Sequence, residues 1–405
     1  MQKAFAAAAR AKTTAKPSPL RQIARGAAAV LLAGTALSTI LQFAPGLVAT
    51  PTGDYLATKG YSSSLRDQFA ASNSYIYDRG NPLVPFHMAG HAVRRLWTSD
   101  ESLLAKTFGA PFLLHDGFSD GLGLLRSDSK LAAYSYSTYQ DDPQARSVMV
   151  WPSDDTLTTA QWLHEMTGLK VAKLDFRRHS EADMQRILIE TGLLHELRHG
   201  DQSKSDTQTL KESDADAFSL HAAAAGGAAP SLVGEARIFL MAARTVSAVL
   251  SGDSGHATAL ALRRGMENDF TRTDALHAFS LQHRAYEDGS AFTSAHNMLR
   301  GVVFDSDIIP ASMDRYSAYY HAASALLDAG IAQRDNENDA IALYVQAMDY
   351  LDAISGGTLI DRSVDHRNID VSSYRARAEA GMPDVQDTPP PRRAPAQSAA
   401  PKPVA

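Results

Sequence analysis

From residue 180 to residue 354 the apolar side chains recur at the spacing of one helix face, and that period limits more than any other feature what this chain can become. Residues 238–250, 257–266, 273–286, 312–327 and 338–354 each read as a helix, separated by clusters of Gly or Asp. Upstream the period shortens to two. Residues 131–139, 147–151 and 169–176 are rich in β-branched and aromatic side chains and predict strands of one small sheet. The fold class that follows is α+β, helix-dominated, with the sheet ahead of the main helices.

No disulfide can staple the chain, because none of its 405 residues is cysteine. Its length and 44% apolar composition are sufficient to fold without one. The same absence excludes disulfides, thiolate nucleophiles and every Cys-containing zinc site, so any metal has to be held by His, Asp and Glu. Charge is spread unevenly. Lys3, Arg10, Lys12, Lys16, Arg21 and Arg25 are the only charges in the first 25 residues, which leaves the rest of a chain of net charge -6 at -12. A body that acidic offers no basic face for phosphates, which argues against a nucleic-acid partner.

The basic start runs into residues 26–49, which carry no charge and end in small side chains before Thr50. This pattern predicts that residues 1–50 are a secretory signal, cut after Ala49, or a single N-terminal membrane anchor. The protein is then exported, periplasmic or anchored facing outward, with a mitochondrial presequence as the alternative for an Arg- and Ala-rich start. Residues 51–380 form the body. The Pro- and Ala-rich stretch 381–405 has too few large apolar residues to offset its ordering entropy and reads as a disordered tail.

Residues 180–199, SEADMQRILIETGLLHELRH, hold the most informative pattern. Ser180 and Asp183 resemble a capping box, and Met184, Ile187, Leu188, Thr191 and Leu194 recur at helical spacing, so the HELRH motif lies on a helix that Gly200 closes. One turn apart on one side, His195 and His199 can both reach an ion at about 2.0–2.1 Å. Glu196 sits beside the first of them, placed to bond a water and take its proton as that water attacks a polarised carbonyl. The third ligand must be Asp, Glu or His. A second helix, opened by Asp206 or Thr207 and closed by Gly226 and Gly227, carries Glu212 and Asp216 at i, i+4. Glu212 can complete the ligand set while Asp216 accepts the outer ring N–H of a ligand histidine, with His195 the expected partner. The chemistry implied is zinc-dependent peptide hydrolysis. Composition alone gives about 0.013 HExxH matches in a chain of this kind, so the pattern is specific.

HELRH followed by E-S-D-A-D-A-F resembles the HExxH and ExxAD signature of the gluzincin metallopeptidases, in the group of prenyl-protein endopeptidases and HtpX-like envelope proteases. The resemblance covers residues 181–225. It implies a zincin-like metallopeptidase domain acting on a protein or peptide substrate, with His195, His199 and Glu212 as zinc ligands, Glu196 as base and Asp216 orienting a ligand. A small-residue–His segment before a helix and an Arg in that family is similar to SGDSGHATALALRR, which makes His256 the candidate for stabilising the transition state.

Other histidines fit structural roles. His87 and His91 lack an intervening Glu, and His164 with Glu165 reads as a helix end because Gly168 follows. The competing reading of the whole chain is a non-catalytic helical envelope scaffold whose metal site is structural or vestigial. That reading needs a fourth protein ligand, such as Asp201 or His221, to close the site.

Overall fold

The structure, a computed structural model, describes residues 50–58, 74–78, 134–137, 147–151, 157–199, 207–252, 254–264, 275–334 and 339–379, with a few single positions that include Gln202. Residues 1–49, read above as a leader, His87, His91, Gly200, Asp201, Asp206 and residues 381–405, read above as a tail, lie outside the described residues. The chain is helix-dominated, and no helix among the described residues is long and apolar enough to cross a membrane. It forms two compact units. The first takes Met1–Lys170, His179–Asp206 and Asp214–Ala236, the second Val171–Arg178, Thr207–Ser213 and Arg237–Ala405.

In the first unit four short strands, β1 (Thr50–Pro51), β2 (Ser74–Asp78), β3 (Tyr134–Ser137) and β4 (Ser147–Trp151), lie in the order β1-β2-β4-β3. β2 and β4 run parallel, with Ile76 opposite Met149, while β1 and β3 pair antiparallel at the two edges. Helix α1 (Thr52–Thr58) follows β1 directly and buries Tyr55 and Leu56. Helix α2 (Thr159–Thr167) begins with a capping box between Thr158 and Gln161 and ends at Gly168, whose φ of 80° lets its N–H return to the His164 carbonyl. His164 therefore stands in the last turn of α2.

Helix α3 (Glu181–His199) packs against α2, β3 and β4. Its start is set by Ser180, whose hydroxyl accepts the Asp183 N–H at 3.1 Å and donates to the Asp183 carboxylate at 2.6 Å. That bond holds the Asp183 carboxyl below the usual carboxylate range. Glu181 reaches over to the start of α2, where its carboxylate accepts the Thr159 N–H and hydroxyl at 2.6 and 2.8 Å. Met184, Ile187, Leu188, Thr191 and Leu194 form one buried stripe along α3, and His195 continues it at 8% exposure. The first motif histidine is thus inside because the helix period puts it there.

Helix α4 (Gln208–Ala225) is opened by Thr207, whose hydroxyl accepts the Leu210 N–H at 3.3 Å, and it stops at Gly226 and Gly227, the latter at φ 96°. Helix α5 (Pro230–Ser251) follows. The division between the two units falls inside α4 and again inside α5.

From residue 237 on, the regular elements of the second unit among the described residues are all helical: the rest of α5, α6 (Ala259–Arg264), α7 (Ala275–Asp305), α8 (Arg315–Asp328), α9 (Ala340–Ile354), a 3-10 turn at His366–Asn368 and α10 (Ser372–Glu379). Phe239, Phe292, Leu299, Leu326, Tyr344 and Leu351 are its fully buried centre. Asp314 and Asp339 cap α8 and α9 by accepting N–H groups of the first turn. α7 runs far beyond the predicted 273–286 because Gly289 does not break it. A Cβ there would sit 3.1 Å from Ser254 Cβ, so the glycine admits the 254–256 turn close against the helix.

Residues 169–176 correct the sequence expectation, for they are irregular and not a strand. Leu174 and Phe176 alternate into the core as a strand would, but Phe176 meets the edge of Phe239 at 5.8 Å and the Asp175 N–H goes to the Ile354 carbonyl at 2.7 Å. Side-chain burial against helices has taken the place of a ladder.

The loop after α9 is organised by one buried carboxylate. Asp352, 3% exposed, accepts the N–H groups of Leu359 and Ile360 at 2.8 and 3.2 Å and an Arg362 N–H at 2.6 Å. Asp352→Ala leaves two buried donors without this acceptor, at about 1–3 kcal/mol each, whereas the exposed Arg362 turns to water at little cost. Chemical denaturation should show a loss of about 2–4 kcal/mol for Ala and a smaller one for Asn, and an unchanged midpoint for Asp352→Ala would contradict this account.

Candidate metal centre

The last turn of α3 and the first half of α4 supply the donors. One ligand atom from each of His195, His199 and Glu212 lies within 4.8 Å of the other two, a His-His-Glu group that could hold a metal ion. The imidazole rings stand edge to face with centroids 4.6 Å apart, and their Nε2 atoms approach to 3.0 Å. For comparison, two nitrogens bound at about 2.0–2.1 Å around a tetrahedral ion are roughly 3.3 Å apart. The spacing needs only a small opening.

The outer nitrogen of each ring lies close to a side-chain oxygen. His195 Nδ1 lies 2.8 Å from Asp216 Oδ1, and both side chains are almost wholly buried, at 10% and 6% exposure. The contact has the distance of an ion pair but not the alignment of a hydrogen bond, and the Asp216 charge favours a proton on His195 Nδ1, the tautomer that leaves a lone pair on Nε2. His199 Nδ1 lies 2.8 Å from Gln202 Oε1, an amide oxygen that accepts. With both ring protons on Nδ1, two Nε2 lone pairs 3.0 Å apart repel unless a cation shares them. The donor set therefore suits a metal ion.

Glu212 is 6% exposed and fixed on both sides. Gln208, one turn earlier on α4, donates its amide to Oε1 at 2.7 Å, and the Arg244 guanidinium of α5 lies 3.7 Å from Oε2. Asp216 follows Glu212 by one turn, which is why a single helix can present one carboxylate to the group and another to the His195 ring. Glu196, next to His195 on α3, is only partly buried. His221 is exposed on α4, and among the described residues the group has its three members and no fourth.

His256 stands in a turn ahead of α6, half-buried, with its carbonyl accepting the Thr258 N–H at 2.9 Å. The turn is tied to the start of α4, where Thr209, three residues before Glu212, donates its hydroxyl to the Ser254 carbonyl at 2.8 Å. Behind it, Arg264 of α6 donates to both oxygens of Asp288 on α7, whose carboxyl is pushed up by burial while the guanidinium opposes the shift. The His256 side chain is not part of the three-donor group.

Gln202, Asp214, Arg198, Gln208 and Arg244 were not singled out from the sequence. Asp214 lies inside the ESDAD segment, but two positions from each acidic neighbour it faces another way round the helix, and its sole signal was an opposite charge on the preceding helix. No protein-family model, curated protein or solved structure matches this chain.

Proposed function

We propose that the protein is a zinc-dependent peptidase of zincin type, in which His195, His199 and Glu212 hold the ion and Glu196 acts as general base. The observation that carries this reading is the pair of Nε2 atoms facing each other at 3.0 Å, with Asp216 2.8 Å from Nδ1 of His195, Gln202 bonded to Nδ1 of His199 and the Glu212 carboxylate in reach. The donor set is two imidazoles and a carboxylate with no thiolate, a set that catalytic zinc sites use with one position left for water or substrate.

A zinc ion held there would supply Lewis acidity, enough to lower the pKa of a water to about 7 and to polarise an amide carbonyl. The remaining work falls to the chain. Glu196 accepts the proton of the attacking water on its carboxylate and returns it to the departing amine nitrogen, so that no charged amide nitrogen has to leave. Asp216 keeps the His195 ring in the tautomer that has Nε2 free, and favours positive charge on that ring as electron density is drawn from it. His256, in the turn tied to α4, is assigned to the developing oxyanion. The leader read from the sequence places this activity at or beyond the outer face of a membrane, on a protein or peptide substrate.

Purified full-length protein should hold one zinc per chain by elemental analysis and cleave an unfolded polypeptide such as reduced casein. A chelator should abolish cleavage and added zinc restore it. Cleavage that persists through exhaustive chelation, or a protein that binds no divalent ion, would refute the proposal.

A further inference from the structure

His199 receives an orienting partner by a longer route than His195 does, and the route starts outside the three donors. Arg198, the residue before it, donates Nε to Asp214 Oδ2 at 2.7 Å and Nη2 to Oδ1 at 3.3 Å, with its guanidinium 5.2 Å over the Phe218 ring. Both members of this pair are mostly buried, at 19% and 12% side-chain exposure. Gln202 is held beside the end of α3 by its own N–H on the His199 carbonyl at 3.4 Å, and the residue is 7% exposed. Its amide lies between the two groups, with Nε2 on Asp214 Oδ2 at 2.9 Å and Oε1 on His199 Nδ1 at 2.8 Å.

An amide in isolation could be turned either way round. Here it cannot, because a carboxylate pinned by a guanidinium accepts only and must face the NH₂ end. Oε1 is then the atom that meets His199, Nδ1 of His199 must carry the proton, and Nε2 is left bare toward His195. We propose that Arg198, Asp214 and Gln202 form a positioning relay that fixes the ring tautomer of His199 and so tunes the affinity of the metal group. This rests on the assignment of His199 as a metal ligand. The relay acts through His199 and touches neither ion nor substrate. It is the counterpart, across an uncharged amide, of the direct carboxylate on His195, and it needs Asp214, the residue of the ESDAD segment that the ligand pattern leaves without a role.

Two measurements on the full-length protein test it. In metal-free wild type labelled with ¹⁵N-histidine, long-range ¹H–¹⁵N spectra should show the His199 proton on Nδ1. Finding it on Nε2 would overturn the relay whether or not the protein binds zinc, so this arm stands apart from the proposed function. Zinc affinity by competition with a chromophoric chelator should fall roughly 10–100-fold in Gln202→Leu, the usual effect of removing a partner of a ligand histidine. Asp214→Asn, which frees the amide to turn, should lower affinity in the wild-type background and have no further effect in the Gln202→Leu background, since Asp214 reaches the ring only through that amide. Independent, additive losses, or wild-type affinity in Gln202→Leu, would reject the relay. Asp214→Asn, close in shape to the native side chain, keeps the test open if Gln202→Leu folds poorly.

Discussion

Glu196→Gln will keep its zinc and lose its turnover. The substitution preserves the length and shape of the side chain next to His195 while removing the ability to take a proton, so peptide cleavage should fall by roughly 10²–10⁴-fold, the range that a positioned acid–base group contributes. Zinc content by elemental analysis should stay at the wild-type value, because this residue is outside the three-donor group. The two readouts together separate a base from a ligand. Retained turnover would remove Glu196 from the chemistry, and loss of zinc would make it part of the metal shell. The scaffold reading from the sequence makes the opposite prediction, that no polypeptide substrate is cleaved by wild type or variant.

Glu212→Gln should show the reverse pattern. The amide can still bond Gln208, but it has lost the charge that balances a divalent ion beside two neutral imidazoles and that faces Arg244 at 3.7 Å. Zinc affinity should drop by at least about 100-fold, beyond what loss of an outer partner such as Asp216 or Gln202 produces. Cleavage should vanish at limiting zinc and return in part at high zinc. His256→Ala is the control, with zinc affinity unchanged and activity lowered, since its side chain is not among the donors. A Glu212→Gln protein that binds zinc as tightly as wild type would mean that a different third ligand completes the site.

How much of this was readable in advance depends on the range of the interaction. The capping of α3 by Ser180 and Asp183, its buried stripe, the end of α2 at Gly168 and the closure of α4 at Gly226 and Gly227 all rest on neighbours within five residues, and spacing reveals them. The pairs His195–His199 and Glu212–Asp216 belong to the same class, for one helical turn carries each to a common side. Longer-range features were hidden. Residues 169–176 have the alternation of a strand, yet their neighbours offered apolar surface in place of a free ladder, and α7 continues through Gly289 because a distant turn packs on it. β2 was not anticipated either. Its five residues, SYIYD, are too short a run to stand out until β4 supplies a partner.

The site divides along the same line. Residue type and helix period, which the chain carries in its covalent order, were enough to assemble two nitrogens and two carboxylates of the right kinds on two consecutive helices, and to exclude sulfur altogether. Folding settled which ring nitrogen each histidine turns inward and what holds Glu212 still. Those choices are made by Asp216, by the Arg198–Asp214–Gln202 relay and by Arg244; Gln202 is only three positions from His199, but the His195–Asp216, Arg198–Asp214, Gln202–Asp214 and Glu212–Arg244 contacts join residues 12 to 32 positions apart along the chain. Hydrogen-bond direction depends on donors and acceptors meeting in space, and no periodicity in a sequence encodes such a meeting.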